Sequence, residues 1–130
     1  MAHPNEDLVR KGYKAFGEGD MDTLRSLFAA DAVHSAAGNN PLSGDYKGVD
    51  EILGYYGKLF ELSGGTFAAE LKTVSVEGDD TVVTTHRDTG QRNGKTLDQD
   101  ETLTFTISDS KFTRLEENHS DPAAYDAFWS

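Results

Sequence analysis

The sequence predicts a single α+β domain in which helices come first and an antiparallel sheet follows, covered by those helices on one face. Three observations carry that expectation. Apolar residues recur at helical spacing in three segments before Ser63. From Thr66 to Asn118 the chain turns β-branched and is broken at Glu77-Gly78-Asp79-Asp80, Asn93-Gly94 and Ser108-Asp109-Ser110. Asn93-Gly94 is the strongest short-range hairpin signal, because a type I′ turn needs positive φ at both central residues.

Asn5 is the expected N-cap of the first helix, with Glu6 and Asp7 favourable near the positive end of its dipole. Val9, Tyr13 and Phe16 mark its buried face, and Gly17 and Gly19 end it. Asp20 caps a second helix whose apolar stripe is Leu24, Leu27 and Phe28. "DAVHSAAG" leaves that helix as a strand, and "NNPLSGDYKG" is a loop by its Asn, Pro, Ser and Gly content. A third helix begins near Val49 and buries Ile52, Tyr56, Leu59 and Phe60. Gly54 and Gly57 weaken it by roughly 1 kcal/mol each relative to Ala, which suggests that they admit a close neighbour. Near the C-terminal end Asp121 is the N-cap and Pro122 the first helical residue. Tyr125, Phe128 and Trp129 form the apolar side of that short helix, with Trp129 as its packing anchor.

A two-residue loop at Asn93-Gly94 sets the pairing outward from Arg92 opposite Lys95. One face then receives Val82 with Phe105, Thr84 with Leu103, His86 with Glu101 and Asp88 with Gln99. The other receives Arg87 with Asp100, Thr85 with Thr102 and Val83 with Thr104, and is polar and charge-matched. His86 and Glu101 thus share a face with Leu103, Phe105 and Ile107. Burial raises a glutamate's pKa while an adjacent imidazolium lowers it, so such a pair can trade a proton near neutral pH. The same pair would also serve as a partly exposed hydrogen bond near a sheet end, contributing roughly 0.2–1 kcal/mol.

The totals exclude several classes. A chain of 130 residues has room for one core. Its 23 acidic and 12 basic side chains give a net charge of −11 with no Lys/Arg cluster, which disfavours nucleic acid and anionic membranes. Having no cysteine removes disulfides, thiolate nucleophiles and Cys-zinc sites. There is no G-x-S-x-G serine, and no His-x-His or His-x-x-x-His spacing points to a metal. No apolar run approaches membrane-spanning length and the first residues lack signal character, so a cytoplasmic protein is expected.

The segments "VRKGYKAFGEGDMDTLRSLFAADAV", "PLSGDYKGVDEILGYYGKL" and "DPAAYDAFW" resemble the nuclear transport factor two-like superfamily, specifically its SnoaL-like and ketosteroid isomerase-like branch. The resemblance implies a cystatin-like α+β barrel: a curved antiparallel sheet wrapped against three N-terminal helices into a cone, with a pocket at the open end. It also implies dimerisation through the outer sheet face. On the ketosteroid isomerase pattern the general-base aspartate falls at Ala36, the oxyanion tyrosine at Gly12 beside Tyr13, and the buried acid at Glu101. One of three positions is kept, which argues against ketosteroid conversion by that mechanism. The same overlay turns Leu115, Glu117 and His119 toward the cavity and needs a bulge after Phe112. Plain alternation from a two-residue turn at Asp109-Ser110 would aim Arg114, Glu116 and Asn118 inward instead; the first arrangement buries Leu115.

SnoaL-like cyclases relay a proton with an acid or imidazole in such positions, without metal or cofactor. The expectation is therefore a cofactor-independent acid–base enzyme, of cyclase, isomerase or hydrolase type, for a small, mostly apolar, carbonyl-bearing or cyclic substrate. Glu101 and His86 would be catalytic, with Tyr13, His34, Tyr56, Leu103, Leu115, Glu117 and His119 binding the substrate. His34, two residues before Ala36 on the same strand face, would take over part of the missing base's task or be a solvated strand histidine. No cofactor, metal, nucleic acid or membrane is expected, and a homodimer through the sheet is. A non-catalytic ligand-binding or dimeric interaction module of the same fold is the alternative.

Overall fold

The computed structural model describes residues 3–130. The order of elements is α1 (Pro4–Glu18), α2 (Met21–Leu27), β1 (Phe28–Ala36), β2 (Gly44–Lys47), α3 (Val49–Leu62), β3 (Ala68–Glu77), β4 (Thr81–Arg92), β5 (Lys95–Ser108), β6 (Lys111–His119) and α4 (Pro122–Trp129). The six strands form one sheet in the order β2-β1-β6-β5-β4-β3. Neighbours are antiparallel except at the seam between β1 and β6, which is parallel. The sheet is thus mixed there, because β1 comes from the helical half of the chain and not from a hairpin. It curves without closing, so the expected barrel is an open cone with β2 and β3 as its edges.

Helix α1 packs on β3 and β4, α3 on β1 and β2, and α4 on β5 and β6. Asp20 and Asp121 cap α2 and α4 as expected, accepting from the backbone N–H of Thr23 and Ala124. The first helix starts earlier than expected. His3 caps it and accepts from the Asn5 N–H at 3.1 Å, because Pro4, with its preset φ, occupies the first helical position. Asn5 instead sends its side chain to the Asp79 carbonyl at 2.8 Å. Phe28 leaves the α2 stripe to open β1, and part of the expected loop forms β2 on the free edge of β1. Gly54 and Gly57 have no neighbour where a Cβ would stand, contrary to the close approach expected of them.

The β4–β5 hairpin adopts the expected register throughout, from Arg92 opposite Lys95 to Val82 opposite Phe105. Asn93 and Gly94 both take positive φ, at 51° and 77°. At the next hairpin Ile107 pairs with Phe112 but Thr106 with Arg114, so Thr113 is an inserted residue. That bulge turns Leu115 and His119 to the buried face, with Glu117 between them. On the outer face Arg87 bonds Asp98 at 2.7 Å and Asp100 at 3.2 Å. Trp129 is fully buried and packs edge-on against Phe128, as an anchor should.

Candidate functional site

Period-two alternation places Thr84, His86 and Asp88 of β4 and Glu101 and Leu103 of β5 on the covered face of the sheet. Between this face and the helices lies a narrow, mostly apolar cavity with about 580 Å³ of empty space, its mouth included. Tyr13, His34, Tyr56, His86, Glu101, Leu103, Leu115 and Glu117 all border it. His119 does not. It lies behind the two glutamates with its ring stacked on Tyr125, centroids 3.6 Å apart. His34 is buried and not solvated, because α3 closes over β1.

The polar groups form two hydrogen-bonded runs, one ending at His119 and one at His86, with the Glu101 carboxyl between them. The Tyr56 hydroxyl lies 2.8 Å from His34 Nδ1, and His34 Nε2 lies 2.6 Å from Glu117 Oε2. Tyr55 donates to the same oxygen at 2.6 Å, while His119 Nε2 lies 3.0 Å from Glu117 Oε1. The other nitrogen of His119 stands 3.3 Å from Glu101 Oε1, and His86 Nε2 stands 3.6 Å from it. His86 Nδ1 in turn meets the Tyr13 hydroxyl at 2.6 Å, and that hydroxyl also reaches Thr84 Oγ1 at 2.7 Å.

This wiring drives the two glutamates apart. Burial, with the charges of Glu117 and Asp88 beside it, holds the Glu101 carboxyl well above the usual carboxylate range and favours its protonated form. Burial opposes the charge on Glu117 too, but hydrogen bonds from His119, His34 and Tyr55 and the His34 charge outweigh it and bring its pKa down to about 2. Burial is also the main reason that Tyr13, Tyr55 and Tyr56 are pushed up, so their hydroxyls keep their protons. The cavity therefore brings together a carboxyl with a raised pKa, one with a lowered pKa, two imidazoles and phenolic donors, the components of acid–base chemistry.

The SnoaL-like domain model matches residues 9–115. The chain belongs to the SnoaL-like family. An uncharacterised protein of Mycobacterium tuberculosis is 36% identical to it over 124 residues, covering 95% of each chain. Among solved structures it is similar to Bal32a from a soil-derived mobile gene cassette, with a TM-score of 0.96 at 36% identity over 98% of this chain and 97% of that one. A provisionally assigned polyketide cyclase from Sinorhizobium meliloti has a TM-score of 0.73 at 26% identity, over 90% of this chain and all of its own.

Four polar residues in or beside this SnoaL-like site carry no role in the sequence analysis: Tyr55, Thr84, Asp88 and Tyr125. Thr84 and Asp88 flank His86 at i−2 and i+2 on the face where the hairpin register already places them, so only their roles were missing. Tyr55 and Tyr125 reach the cavity from α3 and α4, whose placement over the sheet no local pattern reveals. The spacing argument against a metal considered only His-x-His and His-x-x-x-His pairs. His86, Asp88 and Glu101 place one donor atom each within 4.8 Å of one another, as do Glu101, Glu117 and His119. Strand pairs of the His-x-Asp and Glu-x-His kind, not His-x-His, build both groups, and their nitrogen and oxygen donors could hold a divalent cation.

Proposed function

We propose that this SnoaL-like cavity is a cofactor-independent acid–base site, of cyclase, isomerase or hydrolase type, for a small, mostly apolar, carbonyl-bearing or cyclic substrate. The opposed protonation of Glu101 and Glu117 within one enclosure carries the reading, because paired groups driven apart by their surroundings mark acid and base assignments. Glu101 acts as the acid toward a ligand oxygen. His86, 3.6 Å away, is the final acceptor of the proton removed from the substrate. Tyr13, Tyr56, His34 and Glu117 orient the polar end, while Leu103 and Leu115 contact the apolar body. The likeness to a provisionally assigned polyketide cyclase supports a substrate with several carbonyls.

The test is a thermal-shift screen against steroids, aromatic polyketide mimics and terpenoid epoxides, run on the wild type and on Glu101→Gln and followed by product analysis. A ligand at about one hundred times its Kd adds roughly 2.7 kcal/mol, read as several degrees. A hit that weakens in Glu101→Gln and comes back chemically changed supports the enzyme. No hit from any class overturns it.

A binding module is the second reading, favoured by Ala36 standing where the isomerase pattern has its base. Recovery of every ligand unchanged would select it. We further propose a homodimer through the outer sheet face, where Val83, Thr85, Thr102 and Thr104 are half-buried in the single chain. Analytical ultracentrifugation decides that point. No helix among the described residues is long and apolar enough to cross a membrane.

A further inference from the structure

Asp88 is the buried acid that the roles above leave without a task. It sits two residues after His86 on the same face of β4 and is completely excluded from solvent. Neither of its carboxylate oxygens receives a well-directed hydrogen bond, an expensive state for a buried carboxylate. His86 Nε2 stands 2.9 Å from Oδ1, a distance at which a modest turn of the ring completes the bond. The competing acceptor for that N–H, Glu101 Oε1, is farther at 3.6 Å. At the opposite edge of the same ring, Nδ1 lies 2.6 Å from the Tyr13 oxygen, which borders the cavity. Phenol, imidazole and carboxylate therefore stand in line from the cavity wall to the core.

We infer that Asp88 is a positioning residue: it holds His86 with its proton on Nε2, leaving Nδ1 to accept from Tyr13 and so making Tyr13–His86–Asp88 a proton relay opening on the cavity. This rests on the acid–base reading for its purpose. The Thr84 hydroxyl can donate to the Tyr13 oxygen while Tyr13 donates to Nδ1, so the Tyr13 oxygen both accepts and donates. The logic is that of a buried carboxylate fixing the tautomer of a catalytic imidazole.

In a reaction the relay supplies the base that Ala36 does not. As the Tyr13 oxygen takes a proton from the carbon beside the substrate carbonyl, its own O–H proton passes in the same step to Nδ1, so Tyr13 stays neutral and an imidazolium paired with Asp88 results. The electron pair of the broken C–H bond stays on the substrate as an enolate, whose oxygen faces the Glu101 carboxylic acid. Every proton transferred is accounted for, and no oxidant or reductant is needed.

Long-range 1H–15N NMR of the imidazole rings tests the inference without a substrate. In the wild type His86 should carry its proton on Nε2, with Nδ1 bare. In Asp88→Asn the side-chain amide can donate to Nε2, so the proton should move to Nδ1; in Tyr13→Phe, with Asp88 intact, it should stay on Nε2. Wild-type His86 protonated on Nδ1, or an unchanged tautomer in Asp88→Asn, overturns the inference. The wild-type and Tyr13→Phe spectra decide the matter even if Asp88→Asn fails to fold. Once the screen yields a turned-over substrate, Asp88→Asn should lower kcat by roughly 10²-fold or more with little change in KM; an unchanged kcat would also overturn it. The two readings fail separately: the screen judges the acid–base site, and the tautomer judges Asp88.

Discussion

His34 Nε2 stands 2.6 Å from Glu117 Oε2 across the parallel seam of the sheet, with both side chains almost wholly buried. Removing one member of such a pair strands the other's charge, so His34→Ala should cost about 3–5 kcal/mol at neutral pH. The folded pKa of Glu117 lies below its ordinary value of 4.5, near 2. Its contribution is therefore complete above 4.5 and is lost as pH falls through the folded value. Urea unfolding of both proteins at pH 7 and near pH 2 should show the deficit shrinking in acid. An equal deficit at both would mean that Glu117 does not carry it.

Glu101 has the opposite sign. Its folded pKa is raised, so the stability it contributes is present below 4.5 and is lost as pH climbs toward the folded value. Glu101→Gln keeps a neutral side chain of similar shape at every pH. Its melting temperature should gain on that of the wild type as pH rises from about 5 to about 8. Parallel curves across that range would remove the premise that Glu101 is the acid.

Tyr13→Phe deletes the hydroxyl shared by Thr84 Oγ1 and His86 Nδ1. Leaving buried polar atoms unpaired costs about 1–3 kcal/mol by denaturant titration. The same variant should lose affinity for a carbonyl ligand more than for its hydrocarbon analogue, measured by calorimetry. Equal losses would take the hydroxyl out of ligand recognition.

Gly54→Ala should stabilise the protein by about 0.5–1 kcal/mol, because a Cβ there meets open space within helix α3. Thermal unfolding checks this directly. A loss of stability would mean that the position is covered in the assembled protein, and sedimentation of the variant would then show a weakened oligomer.

The helix caps at Asp20 and Asp121, the turn at Asn93-Gly94 and the pairing of His86 with Glu101 were legible from residue types alone. Each depends on neighbours in sequence or on a two-residue loop whose geometry leaves one register. The fold class followed from the same local signals joined to hydrophobic period. Less was legible where the decision was non-local. The four residues of β2 carry too short a pattern to announce a strand, and β1 supplies the edge that makes them one. Pro4 overrode Asn5 as the start of α1 because a preset φ competes directly with a side-chain cap.

The candidate site divides along the same line. The sequence by itself determined that an acid and an imidazole share the covered face of a hairpin, since strand period and turn type dictate which residues face which. Only the tertiary structure decided what those groups are. The Thr113 bulge brings Glu117 and His119 to Glu101, α1 lowers Tyr13 onto His86, and α3 seals His34 from water. Protonation depends on desolvation and on charges from strands and helices distant in sequence, and these exist only once the chain has closed around the cavity.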